Sequence, residues 1–518
     1  MGNFEWSTPS RRIGGRPLSI IPNEVYLEIF DYFQPSEETS FSECKLALSK
    51  IALVCRFFCA AALSRIYQSL EFSGTMGGPG YGPFCRLLNQ MDSSSGLSSN
   101  PDVRFAVDVA NFVKECTFKD WKVDPSNDIL VEFSSAILKI YCNAVTRMPE
   151  IRSIHLESTP ITKSLIHAIV ESRCTLKTLC IRSCTVDPKL TKKHLKKLLS
   201  LRLTALEFFE TSSTSIALPP DAILVRDLEI FRTDSWAYGL YFIKRTHPFL
   251  RVLELDNVVD LSALHKFLAV HPTITDLTIN SIVIKSEDRF GPFLTSTLPN
   301  IQRVKIPPSF LSHFRKRPLR EVSLMGAEFR DWDSVGLYAP TLPLRTNDNL
   351  APLAQSTTSI ISLQVPQHVY FAFPLHKGVK NLEILTLSYH HPNFSTIPLI
   401  SSPALFRTAI QSICTKWPES PPLREFRMDF GETRTADSRN FMWDLQLQHE
   451  MISSELHVPF PHVTHVSFAR FIKWQRCDER STWRVFVPHP FRSFVKDKLA
   501  GGQPVTDFGG CFAALYCT

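Results

Sequence analysis

The 518 residues are 44% hydrophobic and 21% charged, the balance of a folded globular chain, which excludes wholesale disorder. A net charge of +7 is mild over that length and falls short of a nucleic-acid-binding surface. Thirteen cysteines, an odd number without regular spacing, argue against a disulfide framework. They read instead as reduced thiols buried as small hydrophobes, so the chain is expected inside the cell, cytoplasmic and/or nuclear.

The opening MGNFEWSTPSRRIGG has no apolar core of signal-peptide length. Trp6 stands where a myristoylation signal wants Ser or Thr, and the Cys of the closing LYCT is too near the end for prenylation. No run of 18 apolar residues occurs, so no membrane span is expected.

The first element is IIPNEVYLEIFDYF, residues 20–33. Pro22 suits the first helical position and Glu24 complements the positive helix end. Seven of the ten residues from Glu24 to Phe33 are apolar, and Glu24, Glu28 and Asp31 form one narrow polar stripe. A surface helix normally keeps about half its circumference polar. After a polar turn, CKLALSKIALVCRFFCAAALSRIYQSLEF continues as a second apolar helical stretch. Helices totalling about fifty residues cannot bury that much apolar surface among themselves, so part of it is expected to meet another domain or another protein.

IPNEVYLEIFDYF followed by LALSKIALVCRFFCAAALSRIY resembles the F-box, a three-helix module. Ile21 stands in for the usual entry Leu, Pro22 and Glu24 match, Ile29 and Phe30 supply the apolar pair, and Val54-Cys55-Arg56 supplies the Val-Cys-Arg centre, with Phe58 following. The link between the helices is longer than the usual turn. The resemblance implies docking onto a Skp-type adaptor, and through it a cullin–RING ligase. It places Ile21, Pro22, Val25, Ile29, Phe30, Leu53, Val54 and Phe57 at that interface. The competing expectation is that these helices only cap the following domain.

Residues 73–101 are rich in Gly, Ser and Pro and read as a linker or mobile loop. Beyond them one pattern recurs: apolar, two residues, apolar, one residue, apolar. It begins at Ile151 (IRSIHL), Leu176, Leu203, Val225 (VRDLEI), Leu250, Ile274, Ile301 and Leu319, with later copies at Leu382, Leu423 and Val463. ISLQV completes another copy from Ile360, and VKECTF at Val113 is a possible first copy. From 151 to 319 most spacings fall within the 20–29 residues of leucine-rich repeats, and His-Pro recurs in HPFLRVLEL and HPTITDLTI. Each hexamer is expected as a short strand with its apolar residues inward. The following stretches, such as ITKSLIHAIVESRC and LSALHKFLAVHP, should form helical covers. The expected fold is therefore α/β: an F-box over 18–72, a linker over 73–101, a leucine-rich-repeat solenoid over 102–470 with a parallel concave sheet and helical convex side, and an extension over 471–518.

No Walker-type loop, Gly-x-Gly-x-x-Gly or His-Glu-x-x-His occurs. Cys174, Cys180 and Cys184 with His167 and His194 lack zinc-module spacing, so neither cofactor nor metal is expected. Lys192, Lys193, Lys196 and Lys197 read as the solvated face of a convex helix or as a patch for an acidic partner. Outward strand positions are often basic first (Arg152, Lys177, Arg226, Arg251, Arg320, Arg424) and acidic centrally (Glu207, Glu229, Glu254), suggesting rows of opposite charge. Arg226, Glu229, Arg251 and Glu254 are the candidate target-binding residues, the alternative being a repeat consensus that keeps the surface soluble.

By resemblance to F-box/leucine-rich-repeat proteins, the expected role is a non-catalytic substrate receptor of a ubiquitin ligase, with an unknown target protein and neither nucleic acid nor membrane as partner. The rival is an interaction scaffold without ligase activity.

Overall fold

A computed structural model describes residues 12–13, 16–17, 23–33, 41–75, 81–90, 100–122, 128–172, 175–187, 190–191, 193–194, 197–209, 227–284, 293–294, 296–325, 327–330, 350–366, 370, 379–388, 403–415, 417, 420–429, 445–469, 472–477 and 482–486. The chain divides into two compact units, Met1–Asp234 and Ser235–Thr518.

After a short antiparallel pair, Arg12–Ile13 with Arg16–Pro17, the first unit continues with helices α1 (Asn23–Asp31), α2 (Phe41–Ala52) and α3 (Arg56–Ile66). The single helical stretch read from CKLALSKIALVCRFF is in fact two helices. The break falls at Cys55, which is fully extended (φ −162°, ψ 167°) and accepts the Phe58 N–H at Sγ, 3.4 Å away, as the cap of α3. A second correction follows at Ser69–Ser73, which is a strand rather than helix or F-box end. Leu70 and Phe72 alternate inward there, both buried.

That strand starts a parallel sheet of Ser69–Ser73, Glu115–Lys119, Ser153–Glu157, Thr178–Arg182, Ala205–Phe209 and Ile230–Thr233, paired in chain order. The sheet thus begins well before residue 102. Within the expected linker lies helix α4 (Gly82–Asn89), followed by α5 (Pro101–Ala110) with Asn100 Oδ1 accepting the Asp102 N–H. Helix α6 (Asp128–Val145) stacks Tyr141 on Phe72 of the first sheet strand, and α7 (Lys163–Glu171), packed beside α6, is capped by the Thr162 hydroxyl.

The second unit repeats the arrangement. Strands Val252–Val258, Asp276–Ile284, Arg303–Lys305, Glu321–Ser323, Ser362–Pro366, Ile384–Ser388, Glu425–Asp429 and His465–Ala469 are parallel neighbours. Ala327–Arg330 pairs with the far half of Asp276–Ile284. Strands Ile472–Cys477 and Thr482–Phe486, inside the expected extension, then continue antiparallel. Helix Leu261–Ala269, capped by Asp260, forms where LSALHKFLAVHP predicts it. The His-Pro recurrence has a physical basis in this unit. Buried His271 donates from Nδ1 to the Phe267 carbonyl at 2.6 Å, and its Nε2 accepts the His247 backbone N–H at 2.8 Å, stitching consecutive repeats.

A backbone ladder fixes the phase of successive repeats within each unit. The carbonyl of Lys114 accepts from the N–H groups of Arg152 and Ser153; Arg152, Lys177 and Thr204 carbonyls do the same for the next copy. In the second unit Arg251, Thr275, Gln302, Arg320, Ile361, Glu383 and Arg424 continue the rule. Inward positions line up accordingly: Leu70, Cys116, Ile154, Leu179, Leu206 and Phe231 share one layer, all buried. Each such side chain contributes about 1.5–3 kcal/mol on burial, but only with neighbours on both sides. Both units are mixed α/β with mostly parallel sheets, as a leucine-rich-repeat-like array requires.

The ladder corrects one repeat. Ile230 pairs with Ala205 and Phe231 with Leu206, so that copy begins at Leu228, not Val225. The apolar triplet Val225, Leu228, Ile230 imitates the motif, while the inward set is Leu228, Phe231 and Thr233, all buried.

Candidate docking surfaces

Helix α1 carries three stripes, because one turn takes 3.6 residues. Glu24, Glu28 and Asp31 are exposed. Tyr26 and Phe30 lie about 200° around the helix from the acids and are buried with Leu48, Phe57, Ala61 and Ala62 in a core that Phe58 borders. Tyr26 and Phe30 meet Phe58 edge-on at ring separations of 5.2 and 5.4 Å. The third stripe, between the other two, is apolar and exposed: Val25 at 40%, Ile29 at 45% and Tyr32 at 88% of full accessibility. At the turn between α2 and α3, Leu53 and Val54 are 87% and 67% exposed.

The eight adaptor candidates therefore separate. Phe30 and Phe57 are core, not interface, because the three helices need them to close their own bundle. Val25, Ile29, Leu53 and Val54 remain on the surface, and Tyr32 and Leu46, which sequence reasoning did not single out, are exposed with them. Ile21 and Pro22 lie outside the described residues.

The bundle is tied internally and to the sheet. Arg65 donates from Nη2 to Asp31 Oδ1 at 2.5 Å and to the Leu27 carbonyl at 3.2 Å, linking α3 to α1. Lys45 on α2 donates to the Ser69 carbonyl at 2.6 Å and to the Tyr81 hydroxyl at 2.8 Å. Burial lowers the Lys45 pKa to about 8, against the attraction of Glu71 and Glu115.

The second candidate surface is formed by outward strand positions. In the first unit the flanking positions Lys114, Arg152 and Lys177 are basic, exposed and adjacent on consecutive strands, whereas the central positions do not form a row of one sign. Lys119 pairs with Glu157 across adjacent strands (4.0 Å), His155 faces Glu115 (3.4 Å), Arg232 pairs with Glu207 (2.6 Å), and the Arg182 guanidinium lies over the Phe209 ring. Glu229 is not in the central lane with Glu207; Arg232 takes that place. The three-residue shift moves Glu229 to the flanking position equivalent to Thr204. Arg226 lies outside the described residues. Arg251 is exposed and Glu254 half-buried on the outward face of the second unit.

Past the strand ends, polar side chains cap the strand carbonyls. Trp121 Nε1 donates to the Phe72 carbonyl at 2.7 Å, and Thr159 Oγ1 to the equivalent Phe118 carbonyl at 3.0 Å. Asp120, Ser158 and Ser183 make the preceding turn at positive φ (58°, 46° and 52°). Gly74 occupies that place in the first repeat, where an added Cβ would lie 2.4 Å from the Asp120 carbonyl oxygen.

Among the described residues no group of three or more His, Cys, Asp or Glu side chains is arranged to hold a metal. Burial pushes the Cys180 thiol up to about 12 and Cys184 to about 11; Cys174 lies outside the described residues. Lys193 and Lys197 are exposed, and Lys192 and Lys196 lie outside the described residues. Among the described residues no helix is long and apolar enough to cross a membrane.

No family model matches the chain. No curated protein matches it. Among solved structures 21 chains match. One is a leucine-rich repeat protein from Bacteroides thetaiotaomicron VPI-5482, 9% identical, covering 68% of this chain and 46% of its own, with a TM-score of 0.19. This chain thus spans less than half of that protein's length. The repeat assignment rests on the chain's own strand register and carbonyl ladder.

Proposed function

We propose that the chain is a protein-interaction scaffold acting as the substrate-recognition subunit of a Skp–cullin–F-box ubiquitin ligase. The helices α1–α3 dock a Skp-type adaptor, and the repeat array holds a target protein. The observation that carries this reading is the exposed apolar set Val25, Ile29, Tyr32, Leu53 and Val54 on a bundle whose core is already filled. A helix trio that served only as a cap would turn those side chains toward the sheet it covers. The chain supplies no nucleophile in this role. It raises the local concentration of the target near a loaded conjugating enzyme, which is catalysis by proximity.

One observation favours the scaffold without a ligase: Lys45 clamps α2 to the first strand and to Tyr81, as a capping element would. Co-purification with recombinant Skp-type adaptor separates the two. Ile29→Asp combined with Val54→Asp should abolish recovery of the adaptor while circular dichroism keeps the helix and strand content. Recovery at the wild-type level by that variant would remove the ligase reading.

A further inference from the structure

Exposed outward cations without a carboxylate partner among the described residues occur in both units. In the first they are Lys114, Arg152 and Lys177 on consecutive strands, and in the second they are set among neutral, mainly hydrogen-bonding side chains. Asp276, Arg303 and Glu321 sit side by side on consecutive strands, with Arg303 hydrogen-bonded to Asp276. Arg424 pairs with Glu383 and Arg427 with Glu425. Arg251, Lys305 and Arg320 have no such partner among the described residues, and all three are exposed. Their lateral neighbours are neutral. Lys305 lies between Thr278 and Ser323, Arg320 between Gln302 and Ile361, and Arg251 beside Thr275.

The lane that contains Lys305 runs Glu254, Thr278, Lys305, Ser323, Gln364, Thr386, Arg427 and Ser467 across successive strands. Past Glu254 it holds no carboxylate. Within it Ser323 donates to Gln364 at 2.9 Å, and Gln364 donates in turn to buried Ser388 of the neighbouring lane at 3.2 Å. Such a lane offers hydrogen-bonding side chains to an extended backbone and positive charge to acidic side chains. The backbone positions of Lys305 and Arg320 are one strand apart laterally and three residues apart along the strand. With strands about 4.8 Å apart and a rise of about 3.3 Å per residue, they are separated by roughly 11 Å. Two carboxylates three residues apart on a peptide in the extended polyproline II conformation lie on one side of it, about 9 Å apart.

We infer that this face binds an extended acidic segment of a partner protein, with Lys305 and Arg320 each receiving a carboxylate. The inference rests on the target-holding role proposed above and names the chemistry of the target. Arg251, three strands from Arg320, adds long-range attraction.

The test uses the full-length chain and a fluorescein-labelled Gly/Ser peptide carrying two glutamates three residues apart, with the glutamine version as control, read by fluorescence anisotropy. The glutamate peptide should bind at about 50 mM salt and weaken at least tenfold at about 500 mM, where exposed charges are screened. The glutamine peptide should bind at least tenfold more weakly at the lower salt. Lys305→Glu and Arg320→Glu should each reduce affinity by about fivefold or more, whereas Arg232→Ala in the first unit should leave it unchanged. Equal binding of the two peptides to the wild-type chain overturns the inference without any variant, as does absence of binding at low salt. Adaptor capture by the same preparation is a separate readout. Capture with no peptide binding sinks only this inference; peptide binding with no capture sinks the ligase reading and leaves the acidic-segment site standing.

Discussion

The repeat phase at Leu228 makes a sharp prediction, because two adjacent apolar residues exchange roles if the phase is wrong. Phe231 is fully buried and sits between layers in register with Leu206. Truncation to alanine removes a whole ring from a closed core, and such changes cost about 3–5 kcal/mol. Ile230 pairs with Ala205 on the outward side and is only half-buried, so Ile230→Ala should cost less than about 1.5 kcal/mol, within the ordinary range for incompletely buried sites. Urea unfolding followed by far-ultraviolet circular dichroism gives the comparison. Amide exchange adds locality: Phe231→Ala should accelerate exchange in Ala205–Phe209 and Ile230–Thr233, since each repeat leans on its neighbour. Had the copy begun at Val225, Ile230 would point inward and the order would reverse. An Ile230→Ala variant more destabilised than Phe231→Ala would refute the ladder-based register, and with it the demotion of Glu229.

Two further expectations concern titratable groups. Lys45 has a folded-state pKa lowered to about 8 by burial, so the unfolded chain binds more protons than the folded one between about pH 8 and 10.5; stability should rise with pH through that window. The difference in urea midpoint between the wild type and Lys45→Met should therefore shift in favour of the wild type from pH 7.5 to pH 10, and a pH-independent difference would count against the buried amine. Burial raises the Cys85 and Cys142 thiols to about 12, so their contribution to stability is complete below the ordinary thiol pKa and is lost as pH climbs toward 12. Iodoacetamide at pH 8 should label both slowly in the folded chain and promptly in urea, and prompt labelling without denaturant would contradict their placement.

The repeats were legible because the motif and the ladder answer to the same physics. Three inward side chains at fixed offsets repeat wherever a strand must bury one face, and Leu203, Leu253 and Leu319 advertise it. The copy near residue 228 was misread because apolar pairs three residues apart occur twice in succession there. Only the backbone pairing says which pair faces in. Thr233 hides the answer further, being a polar residue at an inward place. The first repeats went partly unseen for another reason: Leu70 and Phe72 follow α3 so closely that they pass for helix. On α1 the surplus of apolar residues was visible in the sequence, but its division was not. Helical spacing puts Val25, Ile29 and Tyr32 on one stripe and Tyr26 and Phe30 on another, and nothing in the spacing says which stripe the other helices cover.

That division is also what separates stability from recognition in this chain. Phe30 and Phe57 resemble docking residues by motif, yet they close the bundle, so their loss would remove the surface along with the fold. Val25, Ile29, Leu53 and Val54 carry no such debt, and a charge placed there tests binding alone. The same distinction holds on the sheet. Charges that pair laterally, such as Arg232 with Glu207, have their field spent within the molecule and offer little to a partner, and an exposed pair contributes only about 0–1 kcal/mol to the fold. Cations flanked by hydroxyls and amides keep their field for whatever approaches. If the sheet recognises an acidic partner as inferred above, the outward residues to mutate are therefore those left uncompensated, in the second unit Arg251, Lys305 and Arg320.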